Sequence, residues 1–170
     1  MNDSVLSGEA VLSTDGARPV LRFERVLARP PEAVWRSITD RDELKAWFPC
    51  EVVADAWEPG AKIDFPFPGS DMTLTGTVLE VDEPRLLAYT WGEETLRFTL
   101  TLEPGGRTRL VFTDELGPSN AARNAAGWQV CLARLTGEIP AADAWKGYFD
   151  RYTAAFEPAL GPQEGPPAGH

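Results

Sequence analysis

RFERVLARPPEAVWRSITDRDELKAWFP, residues 22–49, carries the most informative local signals in the chain. It begins within a segment, residues 20–28, that follows the turn signal Asp15-Gly16 and is predicted to form a strand. Pro30-Pro31 then opens a helix, because proline is tolerated in a first helical turn, where its missing N–H would have no partner. Asp40 opens a second short helix with the D-x-x-E spacing of a capping box. The stretch therefore predicts one strand followed by two short helices.

The segment from residue 50 to about residue 114 has a hydrophobic period of two. Apolar and polar side chains alternate in short runs, and Gly- and Pro-containing turns separate about six of these runs. Such alternation predicts antiparallel strands with one covered face and one solvated face. The apolar positions of the clearest runs are Ile63, Phe65, Phe67, Leu87, Tyr89, Trp91, Leu96, Phe98, Leu100 and Leu102.

After Gly117-Pro118 the period changes to that of a helix. A long helix with one apolar face is predicted from residues spaced three and four apart, and a second C-terminal helix repeats the pattern. The stripe of the first helix consists of Ala121, Ala125, Trp128, Leu132, Leu135 and Ile139, and that of the second consists of Trp145, Phe149, Tyr152 and Phe156.

These patterns divide the chain into three parts. Residues 1–19 are predicted to be an N-terminal extension with a possible short strand at 9–13, and residues 20–157 a single domain. Residues 158–170 are rich in Pro and Gly and have no apolar pattern, so we expect a disordered tail. A length of 170 residues suits one domain with its own core.

Charge and histidine content exclude several classes of function. The chain has 26 Asp and Glu against 16 Lys and Arg, a net charge of −10, which disfavours nucleic acid and anionic membrane surfaces as partners. Its one histidine, His170, is the last residue, so the domain has no imidazole for nucleophile activation or for zinc. Phosphate-binding, dinucleotide and EF-hand motifs are absent as well. We therefore expect no cofactor and no metal.

The cysteines and the N-terminus indicate the compartment. Cys50 and Cys131 form no C-x-x-C motif, and two thiols are too few for a disulfide scaffold. The N-terminal sequence MNDSVLSGEAVLS lacks the features of a signal peptide, and no stretch approaches the length of a membrane span. A soluble cytoplasmic protein is the expectation.

Four motifs in this order resemble a known family: RFERVLARPPEAVWRSITDRDELKAWFP, PGAKIDFPF, RLLAYTW and AAGWQVCLARL. Together they resemble the START-like (SRPBCC) superfamily, and within it the bacterial proteins similar to the C-terminal domain of the heat-shock-protein-90 ATPase activator. The resemblance covers roughly residues 20–157. It implies an α+β helix-grip fold, in which a curved antiparallel sheet of about six to seven strands wraps around a long C-terminal helix and two short helices follow the first strand. Members of the superfamily bind lipids, sterols, polyketides or other apolar molecules in a cavity between sheet and helix.

Aromatic side chains dominate the faces that would line such a cavity. Gly127 could leave room there for a ligand, or it could permit close packing of another element. The rings could equally fill a solid core. The candidate lining residues are Trp47, Phe65, Phe67, Tyr89, Trp91, Phe98, Phe112, Trp128, Cys131 and Leu132.

Three charged residues are the polar candidates. Arg25 lies between Phe23 and Leu27; if it points inward it needs a carboxylate or an acidic ligand, and otherwise it is an edge or outward arginine that water hydrates. Asp114 and Glu115 lie near the expected mouth of the cavity, although adjacent residues on a strand point in opposite directions. As for the cysteines, Cys131 is expected to be a buried apolar residue and Cys50 to be more exposed.

Three functions remain open at this stage. The leading hypothesis is the binding of a small, largely apolar molecule in the aromatic cavity. The first alternative is an interaction module for an Hsp90-type chaperone, and the second is a cyclase or hydrolase that uses Asp114, Glu115 or Tyr89. Potential catalytic side chains are sparse, so binding is favoured over catalysis.

Overall fold

A computed structural model describes residues 9–165, which form one eight-stranded antiparallel sheet and four α-helices. The strands are β1 Val11–Ser13, β2 Val20–Leu27, β3 Val53–Ala54, β4 Lys62–Pro66, β5 Thr73–Asp82, β6 Leu86–Trp91, β7 Glu94–Glu103 and β8 Arg107–Glu115. The helices are α1 Pro31–Thr39, α2 Arg41–Leu44, α3 Ala121–Leu135 and α4 Ala144–Leu160, and a 3-10 turn at Pro118–Asn120 leads into α3.

The strand order across the sheet is β1-β2-β8-β7-β6-β5-β4-β3. The first long strand, β2, therefore pairs with the last strand, β8, instead of with its neighbour in the chain. This arrangement confirms the predicted helix-grip fold with a curved antiparallel sheet. The strand count exceeds the predicted six to seven because β1 and β3, at the two edges, have only three and two residues.

The alternation along the central strands produces the inner face of the sheet. Phe98 and Phe112 lie opposite each other on β7 and β8, and both are fully buried. Leu102 continues the same alternation but is 65% exposed, because β7 extends beyond the part of the sheet that the helices cover. Phe67 follows the last residue of β4 and is half-buried.

The two short helices form where the prolines and the capping signal predict them. Pro31 is the first residue of α1. The Asp40 carboxylate accepts hydrogen bonds from the backbone N–H groups of Asp42 (2.9 Å) and Glu43 (3.0 Å), which caps α2. The Glu43 side chain does not reach back to Asp40, because its Oε1 accepts a hydrogen bond from the Ser37 hydroxyl at 3.0 Å.

The long helix α3 is shorter than the sequence pattern predicts. It ends at Leu135, and Gly137 adopts φ +91°, a left-handed conformation that stops a helix. Ile139, which the spacing places on the apolar stripe, is 95% exposed. The prediction that the helix extends to Ile139 is therefore wrong.

The last helix, α4, packs against α3. A Cβ atom built on Gly127 would lie 3.9 Å from Nε1 of Trp145, an ordinary van der Waals contact, so Gly127 faces α4. Of the two alternatives for this glycine, the structure supports the packing of another element.

The ends of the described chain are tied to the domain. The backbone N–H of Ala10 donates to the Tyr152 hydroxyl at 2.8 Å. Helix α4 continues to Leu160, and Gln163 Nε2 donates to the Pro118 carbonyl at 2.9 Å. The expected disorder from residue 158 onward therefore does not hold for 158–165, because these residues extend the helix and hydrogen bond to the start of α3. Residues 166–170, which include His170, lie outside the described residues, as do residues 1–8.

Candidate functional site

A layer of aromatic side chains lies between the inner face of the sheet and α3. Trp128 of α3 contacts Phe112 (4.8 Å between ring centroids) and Trp91 (5.3 Å), and Phe98 contacts Phe112 (4.9 Å). Tyr89 lies 6.0 Å from Phe98. We call the connected rings the aromatic layer; its members are Trp47, Phe48, Phe65, Phe67, Tyr89, Trp91, Phe98, Phe112 and Trp128.

All ten candidate lining residues lie in this region. Eight belong to the aromatic layer, and Cys131 and Leu132 of α3 are buried in the same core. Phe67 and Trp91 are only half-buried, so the layer reaches the surface at the ends of β4 and β6. Whether a ligand occupies this region stays a prediction.

Three aromatic residues in contact with these rings were missing from the candidates, and one of them is Phe23 of β2, which lies 6.2 Å from Phe112. Phe48 contacts Phe65, Trp91 and Trp128 at 5.5–6.1 Å and so joins the strands to α3. Trp57 lies 5.8 Å from Tyr89. Phe48 follows Trp47 in the WFP motif of the quoted stretch, which was the available signal for it. Trp57 belongs to a loop without periodicity.

Polar atoms without partners lie inside the aromatic layer. The Tyr89 hydroxyl and the Trp91 indole Nε1 are buried and have no hydrogen-bond partner among the described residues apart from the weakly accepting Cys50 thiol beside Trp91. Burial, with a smaller contribution from Cys50, raises the pKa of Tyr89 well above its usual value. The Tyr89 hydroxyl is therefore a neutral hydrogen-bonding group in an apolar environment.

The two cysteines are buried, which corrects the expectation of a more exposed Cys50. Cys50 is 4% exposed and Cys131 5% exposed. Burial raises the pKa of each thiol to about 12, and the nearby Trp91 side chain opposes this effect in part at Cys50. Neither thiol forms a reactive thiolate near neutral pH.

Two acidic side chains, the buried Asp114 and the half-buried Glu94, lie at the end of the site nearest the start of α3. Asp114 is fully buried, and its Oδ2 accepts a hydrogen bond from Trp128 Nε1 at 2.8 Å. Glu94 Oε2 accepts one from the Asn124 side chain at 2.7 Å. The two carboxyl groups lie close enough for each to shift the pKa of the other, and Glu94 Oε1 and Asp114 Oδ1 have no hydrogen-bond partner among the described residues. We call Glu94 and Asp114 the carboxyl pair.

Burial, followed by the charge of Glu94, raises the pKa of Asp114 well above its usual value. Burial also raises the pKa of Glu94, against the opposing effects of its hydrogen bonds and of Arg123 and Arg18. The carboxyl pair therefore keeps a proton to higher pH than two separate carboxylates would, and this proton belongs to the pair as a unit.

The structure separates the other polar candidates from this pair. Glu115 is exposed on the opposite side of β8 from Asp114, so the two adjacent carboxylates do not converge. The acidic side chain next to Asp114 is therefore Glu94, and not Glu115 as the sequence suggested. Among the described residues, no group of three or more His, Cys, Asp or Glu side chains could hold a metal ion.

Arg25 lies on the inner face of β2, is half-buried, and occupies the part of β2 beyond its pairing with β1, so it is an edge arginine, as one of the two alternatives had it, although it does not point outward. Its guanidinium lies 5.7 Å from the ring centroid of Phe23 and donates to the Glu24 carbonyl at 2.8 Å. Within residues 9–165 no carboxylate forms an ion pair with it. Burial lowers the pKa of Arg25, while Tyr152, Glu138 and Tyr148 raise it.

Comparison with known proteins assigns the family. The sequence profile of the family described as "Activator of Hsp90 ATPase homolog 1-like protein" matches residues 28–139. The chain belongs to this family. Its helix-grip fold is that of the START-like superfamily. No curated protein matches the chain in a sequence search.

Solved structures of this family's fold extend over most of the chain. A conserved protein of unknown function from Enterococcus faecalis has a TM-score of 0.75 and 24% identity, and the match covers 91% of this chain and 95% of that one. CalU16 from Micromonospora echinospora has a TM-score of 0.66 and 18% identity, and the match covers 89% of this chain and 94% of that one. The Aha1 dimer from Colwellia psychrerythraea has a TM-score of 0.59 and 19% identity, and the match covers 69% of this chain and 92% of that one. At these identities the similarity shows the fold alone.

Proposed function

We propose that this protein binds a small, largely apolar molecule in the aromatic layer between the sheet and α3. The observation that supports this function is a pair of buried polar atoms, Tyr89 Oη and Trp91 Nε1, that have no hydrogen-bond partner among the described residues apart from the weakly accepting Cys50 thiol beside Trp91. Each unsatisfied buried group costs about 1–3 kcal/mol of stability. A ligand that places one hydrogen-bond acceptor against these two donors would offset that cost.

The position of the two donors defines the ligand further. Tyr89 and Trp91 are two residues apart on β6, so both side chains lie on the inner face of the sheet. Trp91 is half-buried and contacts the half-buried Phe67 at 6.3 Å, so this end of the aromatic layer lies next to solvent. A neutral ligand with a carbonyl oxygen fits this environment better than a charged one, because a charge without a partner is costly among aromatic rings.

The test uses two probes of similar size, acetophenone, which has a carbonyl acceptor, and ethylbenzene, which has none. Binding is followed by tryptophan fluorescence and by native mass spectrometry, in parallel with a panel of fatty acids and sterols. We expect acetophenone to bind about tenfold more tightly than ethylbenzene. Tyr89→Phe should reduce this preference without lowering the free energy of unfolding.

Tyr148→Phe is the matched control. Tyr148 is half-buried on α4 beside Arg151, and it takes no part in the aromatic layer. Its substitution should leave the preference for acetophenone unchanged. Absence of binding by every probe and every panel member would contradict the proposed function, and so would a preference that Tyr89→Phe does not alter.

A second candidate function, docking to an Hsp90-type chaperone, is supported by the family membership over residues 28–139. Acidic side chains such as Asp82, Glu83 and Glu93 are exposed in the turns at strand ends, where they could meet a basic surface. Co-purification with the chaperone, and its ATPase rate with and without this protein, test the idea. No association and no change in rate would eliminate it.

The described residues 9–165 contain no helix long and apolar enough to cross a lipid bilayer. We propose a cytoplasmic location because Cys50 and Cys131 are both unpaired thiols, as a reducing compartment would keep them. Cell fractionation with an antibody against the protein tests this location, and recovery in the membrane fraction would refute it.

A further inference from the structure

A cleft lies between the two short helices and the C-terminal end of α3. Its volume is about 340 Å³, and a second hollow of about 350 Å³ adjoins it at Arg134 and Gly137. Ligand pockets in proteins span roughly 300–1,000 Å³, so this cleft is large enough for a small molecule. Two arginines line it, Arg29 from the loop before α1 and Arg134 from the last turn of α3.

Arg29 is held in place by the protein. Its Nη1 donates to the Ser37 hydroxyl at 2.8 Å, and its Nη2 points to the Leu135 carbonyl at 3.5 Å. Ser37 is only 5% exposed, and its hydroxyl lies 3.0 Å from Glu43 Oε1. The guanidinium is therefore oriented before any ligand arrives, which lowers the entropic cost of binding.

Neither arginine of the cleft has a carboxylate within ion-pair distance in the described part of the chain, whereas others, such as Arg85 and Arg97, pair with acidic side chains at 2.8 Å. This is notable in a chain with a net charge of −10. Glu43 is the one acidic residue in the lining of the first hollow. The first hollow therefore has two guanidinium groups against one carboxylate.

The floor of the cleft is apolar. Trp47 and Leu135 line it, and the Trp47 indole N–H is already engaged by the Ser37 carbonyl at 2.8 Å. Trp47 and Leu135 are 2% and 7% exposed, so the apolar surface that a ligand can reach is small and includes the exposed Ala46. On its other side Trp47 contacts Phe98 at 6.2 Å, so this residue separates the cleft from the aromatic layer.

We propose that this cleft binds a small amphipathic anion, with one carboxylate or phosphate group between Arg29 and Arg134 and a short apolar body on Trp47. Guanidinium groups bind both anions through paired N–H donors. Glu43, and Glu138 beside the adjoining hollow, disfavour a second negative group on the ligand. This site is separate from the aromatic layer and does not depend on the function proposed for that layer.

The experiment titrates the whole protein with benzoate and with phenyl phosphate, and uses benzyl alcohol as the uncharged probe. Binding is read from the NMR shift of the Trp47 indole N–H. Arg134 is exposed, so Arg134→Gln should leave the fold intact, which circular dichroism checks. Arg107→Gln is the control, because Arg107 is an exposed arginine in the β7–β8 turn, outside the cleft.

We expect at least one anion to bind, about tenfold more weakly in Arg134→Gln and unchanged in Arg107→Gln. Arg29→Lys should also weaken binding, because lysine keeps the charge but loses the planar fork. Binding of benzoate alone assigns a carboxylate, and binding of phenyl phosphate alone assigns a phosphate. The proposal is overturned if neither anion binds, if Arg134→Gln binds as tightly as the parent, or if benzyl alcohol binds as tightly as the anions.

Discussion

Replacement of Asp114 by asparagine should change how the stability of this protein depends on pH. The raised pKa values of Glu94 and Asp114 mean that the parent carboxyl pair keeps a shared proton to higher pH than free carboxyl groups do. An asparagine amide has nearly the same shape as the protonated carboxyl group. It can donate to Glu94, and its carbonyl can accept the Trp128 N–H that Asp114 Oδ2 accepts at 2.8 Å.

The size and sign of the effect follow from proton linkage. In the unfolded chain a carboxyl group titrates near its ordinary pKa of about 4, whereas burial raises the pKa of the pair in the folded state. Between these two values the folded protein binds about one more proton than the unfolded chain. The free energy of unfolding should therefore fall by about 1.4 kcal/mol per pH unit as the pH rises through this window.

The assay is urea unfolding, followed by tryptophan fluorescence, at several pH values from about 5 to about 8. The Asp114→Asn variant should lose most of the slope that the pair contributes, and it should be more stable than the parent at the alkaline end. Glu24, whose pKa is lowered mainly by its hydrogen bond to Arg22, affects parent and variant alike, so it cancels from the difference.

Asp82→Asn provides the control, because Asp82 is an exposed carboxylate that pairs with Arg85 on the surface at 2.8 Å. Its curve should run parallel to that of the parent. If the Asp114→Asn curve also runs parallel to the parent, the carboxyl pair holds no extra proton in the folded state, and the reasoning is refuted.

Three further outcomes are expected. Trp128→Phe removes the indole donor to the carboxyl pair and should lower the free energy of unfolding by about 2–3 kcal/mol in urea; a change typical of an exposed site would contradict this. Gly76→Ala should prevent folding or sharply lower the Tm measured by circular dichroism, because the new Cβ would lie 1.8 Å from a carbonyl oxygen of the adjacent strand. Gly147→Ala, whose Cβ would have nothing within 4 Å, should instead raise the free energy of unfolding by about 0.5–1 kcal/mol. A similar effect of the two substitutions would be inconsistent with the packing. Cys50 and Cys131 should react with a thiol reagent only as fast as the protein unfolds, and rapid labelling of the native protein would disprove their burial.

The features that sequence reasoning predicted correctly depend on local patterns. Alternation along β4 and β6 to β8 fixes which side chains face inward, and the prolines with Asp40 fix the start of each short helix. The aromatic layer could be anticipated for the same reason, since its strand members lie at alternate positions. The end of α3 after Leu135 depends on Gly137. The prediction followed the regular apolar spacing to Ile139 and gave this glycine too little weight.

The carboxyl pair could not be predicted from these patterns. Glu94 follows Glu93 in a turn, a position that usually indicates a hydrated surface. Its burial results from the register of β7 and β8, in which Leu96 lies opposite Asp114 and Glu94 is the diagonal neighbour of Asp114 on the inner face. The hydrogen bonds of Gln163 to the start of α3 are also nonlocal. The local sequence pattern therefore predicted a disordered tail.

The pairing of β2 with β8 has a consequence for any shortened version of the protein. The family profile starts at residue 28, one residue after β2 ends. In the intact sheet β8 lies between β2 and β7. A protein trimmed to residues 28–139 would lose β2, and β8 would become an edge strand with unpaired N–H and C=O groups. It would also uncover the ring of Phe112, which contacts Phe23 at 6.2 Å. Such a fragment should self-associate, so the segment that identifies the family is smaller than the segment that folds.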